Sequence, residues 1–295
     1  MDRRAYLGGT DIAAILGVSP WKTALELYEE KIADEYIEPV IEPTREKMFR
    51  RGKKLEPWVV ELLEEERGIF VVKRNQRYVD PEFPYMTCEV DFEYMDEIGL
   101  CNGDVKTVSP FAASEWGEQG TDEIPLAYCL QFLWGQMVTN RPATLVGVLI
   151  GADDLRVYEV KRDEELIAEM RRRAIEFWTG NVIPRVPPAP QNSSDTVKLL
   201  ARYGGFVSPG SQEVWDVIDK LREVKAELKT MNEQKETLEG GVKQALLVEA
   251  QALGIEGTPD KFVILGPDGK KAASLTKQHR AAYQVKESDF YVLRS

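Results

Sequence analysis

Asp104-Val105-Lys106 lies in the stretch GLCNGDVKTVSP, from Gly99 to Pro110. On a strand, alternation puts the carboxylate and the ammonium on one face and Val105 on the other. Two chemistries fit such a pair. One is a surface ion pair, which contributes little to stability. The other is the centre of a metal-dependent phosphodiesterase. Asp-x-Lys is common by chance, so the choice rests on which other acids the neighbouring elements carry. Asp91 sits in MTCEVDFEYM, a run that otherwise favours burial, and Glu56 opens the helix-like stretch EPWVVELLEEERG. Glu56, Asp91 and Asp104 with Lys106 thus fall on successive elements. Hard divalent cations take oxygen ligands, and Mg2+ takes one or two carboxylates plus waters and substrate phosphate. The main-chain carbonyl of Val105 could complete the set. Such an ion, Mg2+ or Mn2+, would polarise a phosphodiester and acidify a bound water. Lys106 would orient or deprotonate that water and neutralise phosphate charge.

Composition removes most other chemistries. His279 is the only histidine, which leaves little room for Ser-His-Asp or histidine-metal sites. Cys88, Cys101 and Cys129 are odd in number, far apart and without Cys-x-x-Cys spacing, so neither a disulfide framework nor a zinc or iron–sulfur site is expected. No apolar run is long enough for a bilayer and no leader pattern opens the chain, so a cytoplasmic protein with no membrane partner is expected. The net charge of −12 argues against nucleic acid, but local clusters decide what a cleft attracts. Arg45, Lys47, Arg50, Arg51, Lys53 and Lys54 crowd one segment in which Glu46 is the only acid. Arg3 and Arg4 open the chain. Arg171-Arg172-Arg173 form a third group that reads equally well as a solvated helix face.

The elements that would position these residues follow from periodicity. Thr10 reads as the N-cap of a short helix ending at Gly17, and Thr23 with Glu26 as a capping box. Val59, Leu62 and Leu63 mark an amphipathic helix stopped by Gly68. Phe70 to Val79, Met86 to Met95 and Leu100 to Val108 alternate as strands. A helix from about Pro125 to Thr139, strands Ala143 to Ile150 and Leu155 to Lys161, and a helix from Asp163 to Trp178 complete an α/β core with a mixed sheet flanked by helices. The expected division is a core over residues 1–183, a Pro-rich linker over 184–195 and an accessory region over 196–295. That last region reads as a helical arm with a β-hairpin. Val214 to Ala245 carry a heptad-like stripe that must pack on something, weakened or bent at Gly240-Gly241. Lys261, Lys270, Lys271, Lys277 and Arg280 make the hairpin region basic, its turn at Pro267-Asp268-Gly269.

The ordered set Glu…Asp…Asp-x-Lys on this element order resembles the PD-(D/E)xK, or restriction-endonuclease-like, nuclease core. LGGTDIAAILGVSPWKTALELYEEK, RGKKLEPWVVELLEEERG and YCLQFLWGQMVTN resemble the opening signature, the Gly-x-x-x-Glu-Pro helix and the Tyr-x-x-Gln helix of the YqaJ-type viral recombinases, relatives of lambda exonuclease. The matches span about residues 3 to 140. Towards the end of the chain, SLTK and YVLR resemble the tails of longer phage members, with no tryptophan in the first. The resemblance implies that Asp91 and Asp104 bind metal, with Asp where Glu is usual before x-Lys. It implies that Lys106 is the catalytic lysine and that Glu56 holds a metal-bound water or a second ion. Gln131 would position the site from its helix, and Tyr128 accompanies it, with core packing as the equal alternative. Arg3 and Thr10 sit where the family grips a 5′-phosphate.

The function so implied is an Mg2+-dependent exodeoxyribonuclease, of phage or prophage origin. It would resect double-stranded DNA ends, 5′ to 3′, and leave single strands for an annealing protein. Homo-oligomerisation, as a ring, is a further implication. An endonuclease or structure-specific nuclease on the same core is one alternative. A catalytically inactive DNA-end or protein-binding module is the other.

Overall fold

Alternating and fully apolar runs between Phe70 and Lys161 build one five-stranded sheet in the computed structural model, which describes residues 2–36, 42–121, 123–203, 209–254 and 261–279. The chain divides into two units, Met1–Arg202 and Tyr203–Ser295. In the first unit, α1 (Ile12–Ile15), α2 (Ala24–Ile32) and α3 (Pro43–Arg67) precede the strands β1 (Phe70–Val79), β2 (Thr87–Asp96) and β3 (Gly99–Val108). Helix α4 (Leu126–Thr139) leads to β4 (Ala143–Ile150) and β5 (Asp154–Lys161), and α5 (Glu164–Phe177) and α6 (Ser193–Leu200) follow. Spatial order equals chain order, β1-β2-β3-β4-β5. Every pairing is antiparallel except β3 with β4, which α4 connects as a crossover.

Both faces of the sheet are covered, which is why every residue of the β4 run ATLVGVLI is buried. One core joins α1, α2, α4 and α5 through residues such as Ile12, Leu25, Trp134, Val146 and Met170. The other lies under α3, where Val59, Val60 and Leu63 meet Phe92, Leu145 and Val157. The N-terminal segment is tied to the sheet beside β2. Leu7 bridges Met86 in parallel, its N–H donating to the Tyr85 carbonyl at 2.6 Å and its carbonyl accepting from the Thr87 N–H at 2.9 Å. That tie fixes where Arg3 and Thr10 can go.

Three boundaries differ from the sequence expectation. Helix α3 begins at Pro43, so Glu56 is in its interior rather than at its start, and Pro57 lies inside the helix. A proline after Glu56 imitates a helix beginning, because N1 is where proline is usually tolerated. Thr10 caps nothing: Asp11 holds the N-cap position of α1. The stretch 184–195 is strapped to the core rather than free. The Gln191 side chain accepts from the Ala24 N–H at 2.9 Å and donates to the Ala14 carbonyl at 3.0 Å. Asp195, buried, accepts from the Thr23 hydroxyl at 2.9 Å and the Gln191 N–H at 3.0 Å. Polar residues that read as solvated satisfy backbone groups of α1 and α2, and the compact unit runs on to Arg202.

Arg171 and Arg172 are also accounted for. Arg171 pairs with buried Asp80 at 2.7 Å, and Arg172 with Glu169 at 2.5 Å and with Glu176.

The second unit contains α7 (Gln212–Ala252) and a hairpin of β6 (Lys261–Leu265) with β7 (Lys271–Thr276). Asp268 accepts from the Lys270 N–H at 3.1 Å in the expected turn. Helix α7 is continuous through Gly240 and Gly241, and none of its residues is buried. Of the SLTK motif, Ser274 to Thr276 lie in β7. Arg280 and YVLR lie outside the described residues.

Candidate active site

The pairing of β2 with β3 runs from Asp96↔Gly99 to Phe92↔Gly103. The next pair would set Asp91 against Asp104. There the strands fork, and the Asp91 carboxylate replaces the ladder: its Oδ2 accepts the Val105 N–H at 2.9 Å. Glycine is required at the last paired position. A Cβ on Gly103 would lie 2.1 Å from the Phe92 ring, which crosses the strand there. On the other side β3 stays in register with β4, Asp104 beside Val146 and Lys106 beside Val148. The residues of the fork are therefore placed by two ladders and one packed ring.

Inside the fork the Lys106 ammonium is ion-paired with Asp104 Oδ1. Asp104 is buried, and its carboxyl is held above its ordinary pKa by burial, against the pull of Lys106. Asp91 is likewise raised, by burial first and then by the charge of Asp104, against Lys106 and the Val105 N–H. Glu56 is raised by burial and by Asp91, with Lys53 and Lys106 pulling the other way, which puts it within electrostatic reach of the fork from α3. Burial opposes the charge on Lys106, but Asp104 and Asp91 outweigh it and lift the amine above its ordinary value. The Lys106 Nζ also lies 5.6 Å from the centroid of Tyr128 and 5.3 Å from that of Phe132, both on α4. Tyr128 packs between Trp21 and Trp116, with centroid distances of 5.5 Å and 5.4 Å.

Asp104, buried, and Asp91, partly buried, are both held above their ordinary pKa for want of positive charge, by burial first and then Asp91 by Asp104 and Asp104 by Glu56, and this is the observation against which a metal can be tested. The donor set suits a hard cation. Asp91, Asp104 and the Val105 carbonyl could hold Mg2+ or Mn2+, with water and substrate filling the rest. Among the described residues no group of three or more Asp, Glu, His or Cys side chains gathers closely enough to hold an ion.

A cavity of about 240 Å³ opens beside the fork, lined by Asp104, Asn102, Gln131, Phe132, Arg3 and Thr10. The structure thus places Gln131, Arg3 and Thr10 on one cavity with Asp104. Arg3 Nη2 reaches Thr10 Oγ1 at 3.5 Å and Asp11 Oδ1 at 3.4 Å. Arg50, Arg51 and Lys53 are exposed on α3. Gly52 between them approaches Thr107, where a Cβ would be 3.0 Å from Oγ1, so this basic stretch lies next to β3 just past Lys106.

Sequence reasoning missed Asp11. Its carboxylate is fully buried and collects Lys22 Nζ at 3.0 Å, Lys31 Nζ at 3.1 Å and the Gly8 N–H at 3.1 Å besides Arg3. Burial would raise its pKa, but Lys31, Lys22 and Arg3 hold it at about 2. One signal was available. Lys31 continues the Ala24, Leu27, Tyr28 stripe of α2 at helical spacing, a lysine on an apolar face that needs a buried partner.

Residues 1–142 match the model of the YqaJ-like viral recombinase domain. This part of the chain is similar to that family. The uncharacterized protein YqaJ of Bacillus subtilis (strain 168) is 27% identical over 255 residues, which cover 83% of this chain and 76% of that protein. Similarity to YqaJ therefore extends beyond the recombinase domain. Among solved structures, the alkaline exonuclease LHK-Exo of Laribacter hongkongensis is 14% identical with a TM-score of 0.49, over 68% of this chain and 95% of that one. A phage related exonuclease from Haemophilus somnus 129PT is 15% identical with a TM-score of 0.45, over 59% and 92%.

Proposed function

We propose that this YqaJ-like protein is a metal-dependent deoxyribonuclease of PD-(D/E)xK type that resects duplex DNA from an end. The observation that carries this reading is the single cavity on which Asp104 of the fork meets Arg3 and Thr10. A cleavage centre that shares a cavity with a basic hydroxyl-bearing grip is suited to a strand terminus carrying a phosphate. The 5′ to 3′ direction follows if that grip holds a 5′-phosphate.

The roles divide by chemistry. Asp91, Asp104 and the Val105 carbonyl would hold Mg2+ or Mn2+, and Glu56 a metal-bound water or a second ion. When bound, the metal supplies Lewis-acid polarisation of the phosphodiester and acidifies water. Lys106, charged in the fork, orients the attacking water and balances phosphate charge, with Asp104 fixing its ammonium. Gln131 and Tyr128 hold the site from α4. Arg3 and Thr10 take the terminal phosphate. Arg50, Arg51 and Lys53 offer positive charge to the DNA backbone beside β3. The single strand left behind would pass to an annealing protein, and a ring of copies would keep the enzyme on its track.

The test uses linear and covalently closed duplexes, with Mg2+, with Mn2+ and with chelator, and linear ends bearing 5′-phosphate or 5′-hydroxyl. Metal-dependent loss of linear DNA alone, fastest from 5′-phosphate, is expected. Arg3→Ala should remove that end preference. Cutting of closed circles would replace this reading with an endonuclease, and no cutting of either would leave a DNA-end or protein-binding module.

A further inference from the structure

Trp21 lies in the turn between α1 and α2 and is 47% exposed. It is the outermost ring of an aromatic row. Its centroid is 5.5 Å from Tyr128, Tyr128 stacks on Trp116 at 5.4 Å, and Trp116 reaches Tyr158 at 5.6 Å. The inner rings, Trp116 and Tyr158, are buried, whereas the indole at the outer end is left half in water. The turn that carries it is fixed, because Ser19 Oγ accepts the N–H groups of Trp21 at 3.2 Å and of Lys22 at 3.3 Å.

Its neighbours give this exposed ring its meaning. On one side, Tyr128 carries the Lys106 ammonium on its ring face at 5.6 Å. On the other, the adjacent Lys22 binds Asp11 Oδ1 at 3.0 Å, the same oxygen that Arg3 approaches at 3.4 Å. Trp21 is thus one ring from the cleavage lysine and one residue from the network that holds the terminal-phosphate arginine. A nucleotide held at both ends by such groups has its base free to lie on a flat apolar surface. Every base has a π-face, so an indole there is indifferent to sequence, as an end-resecting enzyme requires.

We propose that Trp21 is a stacking platform for the nucleobase at the end of the strand being cut. This rests on the nuclease reading above and adds a base-binding residue to it. The test measures kcat and KM on 5′-phosphorylated linear duplexes whose terminal nucleotide is either intact or abasic, for the wild type, Trp21→Ala, Trp21→Leu and Trp21→Phe. Removing one base–aromatic stack should cost about tenfold in kcat/KM. The wild type and Trp21→Phe should lose about that factor on the abasic end, chiefly through KM. Trp21→Ala should lose about the same factor on the intact end and nothing more on the abasic one. Trp21→Leu keeps an apolar contact on Tyr128 without a ring. It should behave as Trp21→Ala does, and it decides the matter if the alanine variant loses its far-UV signal. An abasic penalty in Trp21→Leu or Trp21→Ala equal to that of the wild type would overturn the platform while leaving the nuclease reading intact. Failure of the wild type to cut any end would overturn both.

Discussion

At the scale of single residues, the fork depends on one lysine held against two carboxylates, Asp104 buried and Asp91 partly buried. Lys106 is the cation that Asp104 and Asp91 share, and its charge is stabilised by them. Replacing it with alanine leaves both acids in place. DNA cleavage by Lys106→Ala should fall by about a hundredfold or more, the range typical of a missing proton-transfer or orienting group. Single-turnover assays at saturating metal would measure it, and a near wild-type rate would remove Lys106 from the chemistry. Asp11 acts differently, because it holds buried Lys31 and also Arg3 of the proposed phosphate grip. Its carboxyl is held at about 2, below the ordinary 3.8, so it stabilises the fold above its ordinary pKa, and that contribution is lost as pH falls through about 2. Asp11→Asn should remove this pH dependence. It should also cost about 3 kcal/mol near neutral pH, since Lys31 is left buried without its counter-ion. Denaturant melts of both proteins between pH 2 and pH 7 (bounds set at about the two ends of the titration) would show it. Equal stability of the two at neutral pH would contradict the assignment.

At the scale of elements, what was legible followed periodicity. The five strands and the helices α4 and α5 are read from alternation and helical spacing to within a residue or two, because their apolar faces are dictated by burial. The capping box at Thr23 and Glu26 is present as read. The first three turns of α3 were not legible, since Pro43 to Lys54 form a basic, exposed run with no buried stripe. The fork was half legible. Asp91, Asp104 and Lys106 were named from their order on the chain, but that β2 leaves β3 at Asp91 depends on the Phe92 ring over Gly103, a packing fact. Buried Asp11 and the strap at Gln191 and Asp195 were not legible, because their partners are distant in sequence. The strap carries its own prediction. Asp195→Ala leaves the Thr23 hydroxyl and the Gln191 N–H without their acceptor. It should destabilise the first unit by about 1–3 kcal/mol. A chemical melt would measure it, and a shift within about 0.5 kcal/mol, the range of an ordinary surface change, would make the strap irrelevant to stability.

At the scale of the molecule, the two units pose different problems. The first has a doubly covered sheet and a complete candidate site. The second is a long helix whose described residues leave Val217, Leu228, Met231 and Leu238 exposed, followed by a hairpin bearing Lys261, Lys270 and Lys271. So much apolar surface on one helix needs a partner, and Lys residues on the hairpin can neutralise phosphates. We predict that the second unit adds DNA affinity to a self-sufficient core. The boundary matters for the test. A cut after Asn192 would remove Asp195 and with it the strap to α2, whereas a cut after Arg202 keeps the whole first unit. The protein ending at Arg202 should fold, retain Asp91, Asp104 and Lys106 in the fork, and still degrade linear DNA at high enzyme concentration. Its affinity for duplex DNA should be lower and should fall less steeply with salt, because every phosphate that the shorter protein no longer neutralises makes the slope of log K against log salt shallower by about 0.9. Binding isotherms of both proteins across a salt series give the two slopes directly. Equal slopes would mean that the hairpin lysines do not touch DNA, and sedimentation of the same two proteins would then show whether the exposed face of α7 holds copies of the chain together instead.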